Sequence, residues 1–424
     1  MSTTTNRPRY GAMKRPHDLS SACESDDSCP RANPPKRHKP DSDNNDDLPS
    51  HTSAPVNDSR GDVTTEEDGG GKNLERAPSP ETVSAISYRN DTLAAFNIVV
   101  GSELPPRLKE WTDGILEWAR KNVADWERFR ATADEWRRTS TDIDSRSLGK
   151  EEWTSSLQNA ITGVMSAQSD DLVHSINSSA MAWVPVLLPR ERKGFSAPKS
   201  GLKTPRPDSY VGFTTAAFTT GPPFLSNYFL SNLNICGAGH ASTPSPDPLD
   251  CRYPFLIIEA TSGATGGLLQ AQNQAALSGA CALNILQGLK KMGAKARRSS
   301  HDTTTVSKRN REKREHYLAD RTLKEQRDAW VAAASKWIHP QPPQLAVFSL
   351  TTDSSVHELW IHHFNAAKEY RMSRLGVFDS TDPKSQDELL VRLAAIAAWA
   401  DGEFRDWLAD NLGEYAELSV KGRL

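Results

Sequence analysis

Apolar positions along this chain fall into two periods, one that suits strands and one that suits helices. Pro254-Phe-Leu-Ile-Ile258 is a continuous apolar run followed by the turn residues Ser262-Gly263 and Gly266-Gly267, which predicts a strand buried on both faces. Glu259 ends the run and is the only charged residue between Arg252 and Lys290. Burying an unpaired carboxylate is costly, so such a group is paired, protonated or bound to a metal. A second carboxylate, in Arg206-Pro207-Asp208, leads into the strand-like Tyr210-Val-Gly-Phe213.

The remaining elements follow from the same reading. Leu108, Trp111, Ile115, Trp118, Trp126 and Phe129 fall on one face of a predicted helix that begins after Pro105-Pro106. The tryptophans there read as packing rather than as a base-stacking array. Tyr88 to Val100 has mixed helical spacing, and a second helix is expected from Glu151 to Ala167. Residues 180–188 are strand-like but interrupted by Pro185. Leu268 to Leu289 predicts a helix with Ala271, Ala275, Leu277, Ala282, Leu283 and Leu286 on its packed positions. A strand leading into such a helix is an α/β unit. Strands are expected at 344–350, 356–364 and 371–378, as an antiparallel meander beside the Glu259 strand, followed by an amphipathic helix or helix pair over 387–412. His362-His363 lie on the second of these strands, where neighbours face opposite ways and cannot aim at one metal.

Composition changes the picture mainly at the N-terminus. Hydrophobic content is 37% and net charge −3, but the charges are segregated. Residues 1–84 are expected to be a disordered tail, because Pro, Ser, Asp and Asn dominate and apolar surface is scarce. Lys36-Arg37-His38-Lys39, set between prolines, reads as a nuclear-import signal or a solvated charge run. It favours the nucleus over the cytoplasm. The first residues lack an apolar core of the secretory type, and the uncharged stretch 260–289 is too polar for a membrane span. Cys23, Cys29, Cys236, Cys251 and Cys281 show no metal spacing, which suits free thiols. Residues 290–328 read as a charged, basic-leaning insertion, and Lys295–Arg314 is either a phosphate-binding patch or a solvated helix.

Pro207-Asp208, followed further along by Glu259-Ala260-Thr261, resembles the PD-(D/E)XK nuclease motif. More closely, the chain resembles the uncharacterised fungal proteins that carry a PD-(D/E)XK nuclease-like domain. The markers are Arg206-Pro207-Asp208 with Tyr210 and Gly212, Tyr253-Pro-Phe-Leu-Ile-Ile-Glu-Ala260, Gly266-Gly-Leu268, Gln272-Asn-Gln274, Phe348-Ser349, Leu359-Trp360-Ile361 and Trp399. The resemblance implies one α/β domain over 85–415, with a restriction-endonuclease-like mixed sheet flanked by helices. It also implies a magnesium site formed by Asp208, Glu259 and the carbonyl of Ala260, since magnesium prefers oxygen ligands. Thr261 stands where the motif has lysine, and Gln272 or Lys203 or Lys199 are candidates to compensate.

The catalytic set implied is therefore Asp208, Glu259, Thr261 and Gln272. On the residues alone, Asp208 equally suits the start of a turn or a helix cap, and Glu259 a salt bridge with Arg206 or Arg252. Three functions remain open at this point. The leading one is a nuclease-fold protein with a degenerate site that binds nucleic acid, through Lys295–Arg314, or a protein partner. The others are an active magnesium-dependent nuclease of DNA or RNA, and an interaction protein unrelated to nucleic acid.

Overall fold

The computed structural model describes residues 84–122, 127–176, 182–195, 201–219, 225–226, 229–231, 233, 242–244, 251–261, 267–301 and 345–420, all within the unit Lys72–Leu424. The expected tail, the Lys36–Lys39 cluster, Lys199, and the insertion from 302 onward lie outside the described residues.

The organising element is a seven-stranded mixed sheet. In chain order the strands are β1 (Ile98–Val100), β2 (Leu172–Ile176), β3 (Ser209–Phe213), β4 (Arg252–Thr261), β5 (Ala346–Asp353), β6 (Val356–Phe364) and β7 (Tyr370–Asp379). In space they run β1-β7-β6-β5-β4-β3-β2. β3 is antiparallel to both its neighbours β2 and β4, and β6 to both β5 and β7. β4 pairs with β5 in parallel, and β1 with β7 likewise. The sheet is thus two antiparallel meanders joined side by side by one parallel pair.

Helices cover both faces. Those used below are α1 (Pro106–Asn122), α2 (Glu127–Ser145), α3 (Lys150–Gln168), α4 (Gly267–His301), α5 (Pro383–Trp399) and α6 (Arg405–Val420). Ahead of β1, Ala85–Ser87 continues as the π-helical Tyr88–Leu93. On one face Trp111 of α1 stacks on Phe348 at 6.2 Å and meets Trp399 of α5 edge-on at 5.5 Å. On the other face lies α4, whose small residues bring its backbone close to the sheet. A Cβ added at Gly279 would come within 2.2 Å of His362 Nδ1 on β6. Asp382 caps α5, accepting from the amides of Lys384 and Ser385 at 3.2 Å each, with Pro383 at the first turn. A kink at Gly402, between α5 and α6, precedes α6's packing along α4, where Asn411 sits against Gly293.

The strands from 254 onward, the helices at 151–167 and 268–289, and the C-terminal helix pair lie where their periods place them. Three expectations need correction. The stretch expected as one helix over 108–129 is two, α1 and α2, and Trp126 lies outside the described residues. Residues 180–188 form no described strand; Pro185–Leu187 is a 3-10 turn, since proline fixes φ and offers no ladder N–H. Two strands are additional: β1, at the end of the stretch Tyr88–Val100 that has mixed helical spacing, and β2, an edge strand with His174 and Ser175 inside it, which no apolar run announces. Finally, the region read as an insertion from 290 begins as helix. α4 continues to His301 because Lys, Ala and Arg are good helix formers.

His174, His357, His362 and His363 are each paired with a hydroxyl. His174 lies between Thr162 (2.8 Å) and Ser209 (3.0 Å), and His357 between Thr352 (2.7 Å) and Ser380. His362 meets Ser349 at 2.8 Å on the α4 face, whereas His363 meets Ser373 at 3.2 Å on the other. Burial pushes His174 and His357 down to about 4 and His362 to about 3.

Two predictions follow from this packing. Gly279→Ala must displace a buried ring and is expected to cost about 1–3 kcal/mol, read by urea unfolding. The histidines have folded pKa values below the unfolded value, so the stability they carry is present above about pH 6.5 and is lost as pH falls toward 4. For His357 the loss is of the order of 3 kcal/mol. Melting temperature should fall steadily over that window, and His357→Gln should flatten the fall.

Candidate functional site

Register places the two carboxylates. Ser209 of β3 pairs with Ile258 of β4, so Asp208, one residue earlier, stands across from Glu259, one residue later. Residues opposite each other on antiparallel strands project to the same face. The link is direct: the amide of Ala260 donates to Asp208 Oδ2 at 2.6 Å. Asp208 thus enters a strand and caps no helix. Glu259 pairs in turn with Thr351 of β5, and Thr351 with Glu358 of β6. A polar row, Asp208–Glu259–Thr351–Glu358, therefore crosses four strands beneath α4.

Glu259 is almost fully buried, at 2% exposed. Ser278 of α4 donates its hydroxyl to Glu259 Oε1 at 2.8 Å. Among the described residues Glu259 forms no ion pair. Arg252 sits at the far end of β4 and spends its guanidinium on Thr215, Ser242 and the Leu230 carbonyl. Arg206 is exposed, and Lys203 is half-buried. Burial, and then the neighbouring charge of Asp208, raise the Glu259 pKa well above the ordinary carboxylate value; Ser278 and the Asp208 amide oppose this. The sequence alternative of a Glu259 salt bridge is therefore replaced by a hydroxyl-bonded acid.

Thr261 lies two residues beyond Glu259, hence on the same face, and is buried. Its hydroxyl does not point toward the carboxylates as a free donor. It donates to the carbonyl of Gly267 at 2.8 Å, tying the end of β4 to the first turn of α4. Gly267 has φ +59°, a left-handed conformation that favours glycine, and a Cβ there would lie 3.3 Å from Asp353 Oδ2. Asp353 is the register partner of Thr261 and faces the same way.

Gln272 is not turned to Asp208 and Glu259. Its Nε2 donates to Glu358 Oε2 at 2.5 Å, and its Oε1 accepts from Arg89 Nη2 at 2.8 Å. Glu358 also accepts from Thr351 Oγ1 at 3.3 Å and, on Oε1, from Arg374 Nη1 at 3.1 Å. Arg89 comes from the π-helical segment and also donates through Nε to Asn273 Oδ1 at 2.8 Å. The structure thus joins Asp208, Glu259, Ala260 and Thr261 in one place and puts Gln272 in an adjoining cluster. Sequence reasoning passed over Glu358 and Arg89. Glu358 had a usable signal, a carboxylate between buried strand positions, like Glu259. Arg89 had none, because its partners lie far along the chain.

Among the described residues, no group of three or more His, Cys, Asp and Glu side chains is arranged to hold a metal ion. The expected set of Asp208, Glu259 and the Ala260 carbonyl contains only two such side chains. Two hard oxygen donors facing each other, one pushed toward its protonated form by burial and by the other's charge, have the chemistry that a divalent cation relieves. No helix among the described residues is long and apolar enough to cross a membrane.

A pKa raised in the folded state contributes stability that is full below the unfolded value and is lost as pH rises through the folded one. Glu259→Gln mimics the protonated acid without that loss. In metal-free buffer it should match wild type near pH 4 and become the more stable of the two as pH rises above about 4.5. Equal stability at pH 8 would mean that Glu259 is not held as the neutral acid.

No curated protein and no solved structure matches the chain. Residues 150–306 match the family model of a domain of unknown function, DUF7924. The match runs from α3 through β2, β3 and β4 to the end of α4, and so takes in Asp208, Glu259, Thr261 and Gln272.

Proposed function

We propose that this chain is a nuclease-fold protein that binds nucleic acid at a degenerate site and hydrolyses it weakly or not at all. The observation that carries the reading is the pairing of Asp208 with Glu259 on adjacent strands while Thr261, in the place of the motif lysine, gives its hydroxyl to Gly267. The order helix, three antiparallel strands, crossover helix, parallel strand also suits the restriction-endonuclease-like architecture that the sequence resemblance implies.

The roles follow from charge. Asp208 and Glu259, with the Ala260 carbonyl, would hold a magnesium ion, and the ion would polarise a phosphate and acidify a bound water. Glu259 must give up its proton for this, so binding is weak and strengthens with pH. Ser278 holds the carboxylate in place. Nothing at position 261 offsets charge developing on the phosphate, and one missing electrostatic group typically costs about 10²–10³ in rate.

Nucleic acid is the favoured partner because cations surround the acidic row. Arg206 precedes Asp208, Arg374 is exposed beside Glu358, and the last turns of α4 carry Lys290, Lys291 and Lys295. Helical rise puts Lys295 about 26 Å from Ser278, too far to act on the same phosphate but within reach of the same bound strand.

A cleavage and binding series tests this. Magnesium or manganese should raise the melting temperature of wild type but not of Glu259→Gln. Cleavage of labelled DNA and RNA should be slow or absent in wild type. Thr261→Lys, if it keeps the wild-type melting temperature, should raise any basal cleavage by about one to three orders of magnitude. That gain should vanish when Glu259→Ala is added. Rapid wild-type turnover that survives Glu259→Ala would put the chemistry elsewhere. Absence of salt-dependent oligonucleotide binding would leave a protein partner as the better reading.

A further inference from the structure

We infer that Arg89, brought to the site by the segment before β1, is an anion-binding residue that takes a phosphate of the bound nucleic acid. This rests on the reading of the chain as a nucleic-acid-binding nuclease fold.

The charge of Arg89 is unmatched by any carboxylate hydrogen-bonded to it among the described residues. Arg89 is half-buried, yet its hydrogen-bond acceptors are all neutral: Asn273 Oδ1 at 2.8 Å, Gln272 Oε1 at 2.8 Å and the Leu269 carbonyl at 3.3 Å. Desolvation weakens its hold on the proton, and only the more distant Glu358 charge opposes this. Among the described residues no carboxylate forms a salt bridge with it. A guanidinium withdrawn from water is ordinarily compensated by a carboxylate or a phosphate.

Glu358 is the nearest candidate, and it is already occupied. Arg374 takes Oε1, while Gln272 and Thr351 take Oε2. Gln272 stands between the two as an insulator. It faces a guanidinium that only donates and a carboxylate that only accepts, so its amide has one orientation, with Oε1 to Arg89 and Nε2 to Glu358. Glu358 and Gln272 are therefore positioning residues. They fix the guanidinium through its Nη2 and leave Nη1 with no hydrogen-bond partner among the described residues. Asn273, itself fully buried and donating to the Ala85 carbonyl at 2.7 Å, fixes Nε from the other side. The fork is aimed before any ligand arrives, which suits a phosphate oxygen better than a loose lysine does.

The test uses the full chain and a fluorescein-labelled single-stranded oligonucleotide, followed by anisotropy in EDTA over a salt series. Arg89→Met should weaken binding about 10–100-fold, as expected for one charge-assisted contact. It should also lower the slope of log affinity against log salt by about 0.7, a change that a purely structural role would not produce. Asn273→Asp is the second variant. It leaves the guanidinium in place but neutralises it with an adjacent carboxylate; the lost donor to the Ala85 carbonyl lowers the melting temperature, and binding, read at a temperature where the variant is folded by circular dichroism, should weaken similarly. That variant decides the matter even if Arg89→Met fails to fold. Arg89→Lys, which keeps charge without the fork, should fall between. Wild-type affinity and slope in both Arg89→Met and Asn273→Asp would overturn the inference alone. A wild-type protein that binds no oligonucleotide would overturn the functional reading and this inference together.

Discussion

Antiparallel neighbours can be joined by a short turn, but parallel neighbours need a crossover that travels the length of the sheet. β4 and β5 are such neighbours, and the crossover between them contains α4. The helix must therefore begin at the end of β4 and return across the sheet face. Its small residues, Ala271, Ala275, Ser278 and Gly279, let it lie close enough for side chains to meet strand side chains directly. Three polar contacts of the candidate site depend on that close approach. Ser278 reaches Glu259, Gln272 reaches Glu358, and Gly267 receives the Thr261 hydroxyl.

The same closeness sets the electrostatics. A carboxylate under a helix cannot be solvated, so Glu259 takes a hydroxyl donor and a proton, while Glu358 recruits an arginine and an amide. The two acids on one sheet face thus reach neutrality by different routes. Burial and the Asp208 charge push Glu259 toward its protonated form, whereas Glu358 is paired with Arg374.

Much of this was readable in the sequence because strands and helices have short periods. The apolar run before Glu259 needs no distant residue to declare itself, and neither do the alternating positions of β6. What stayed hidden was whatever depends on partners far along the chain. β2 is an edge strand whose apolar residues are interrupted by His174 and Ser175, so no run marks it. Arg89 looks like any surface arginine until α4 is laid against it. At Glu259 burial is legible from the apolar run but the partner is not: the alternatives Arg206 and Arg252 give way to Ser278 on the following helix. Thr261 was legible as a missing charge, though not as the hydroxyl that ties β4 to α4.

β1 and the helical segment before it are the first described parts of the chain to be synthesised, yet their partners come late. Ser102, just past β1, meets Met372 and Ser373 of β7, a separation of 270 and 271 residues. At a synthesis rate of about 5–20 residues per second, roughly 15–55 s pass between the two. During that interval the acidic pair on β3 and β4 can already have paired, while β1 has no edge to join. Synthesis order alone therefore allows the carboxylate side of the site to form before the sheet's far edge can close.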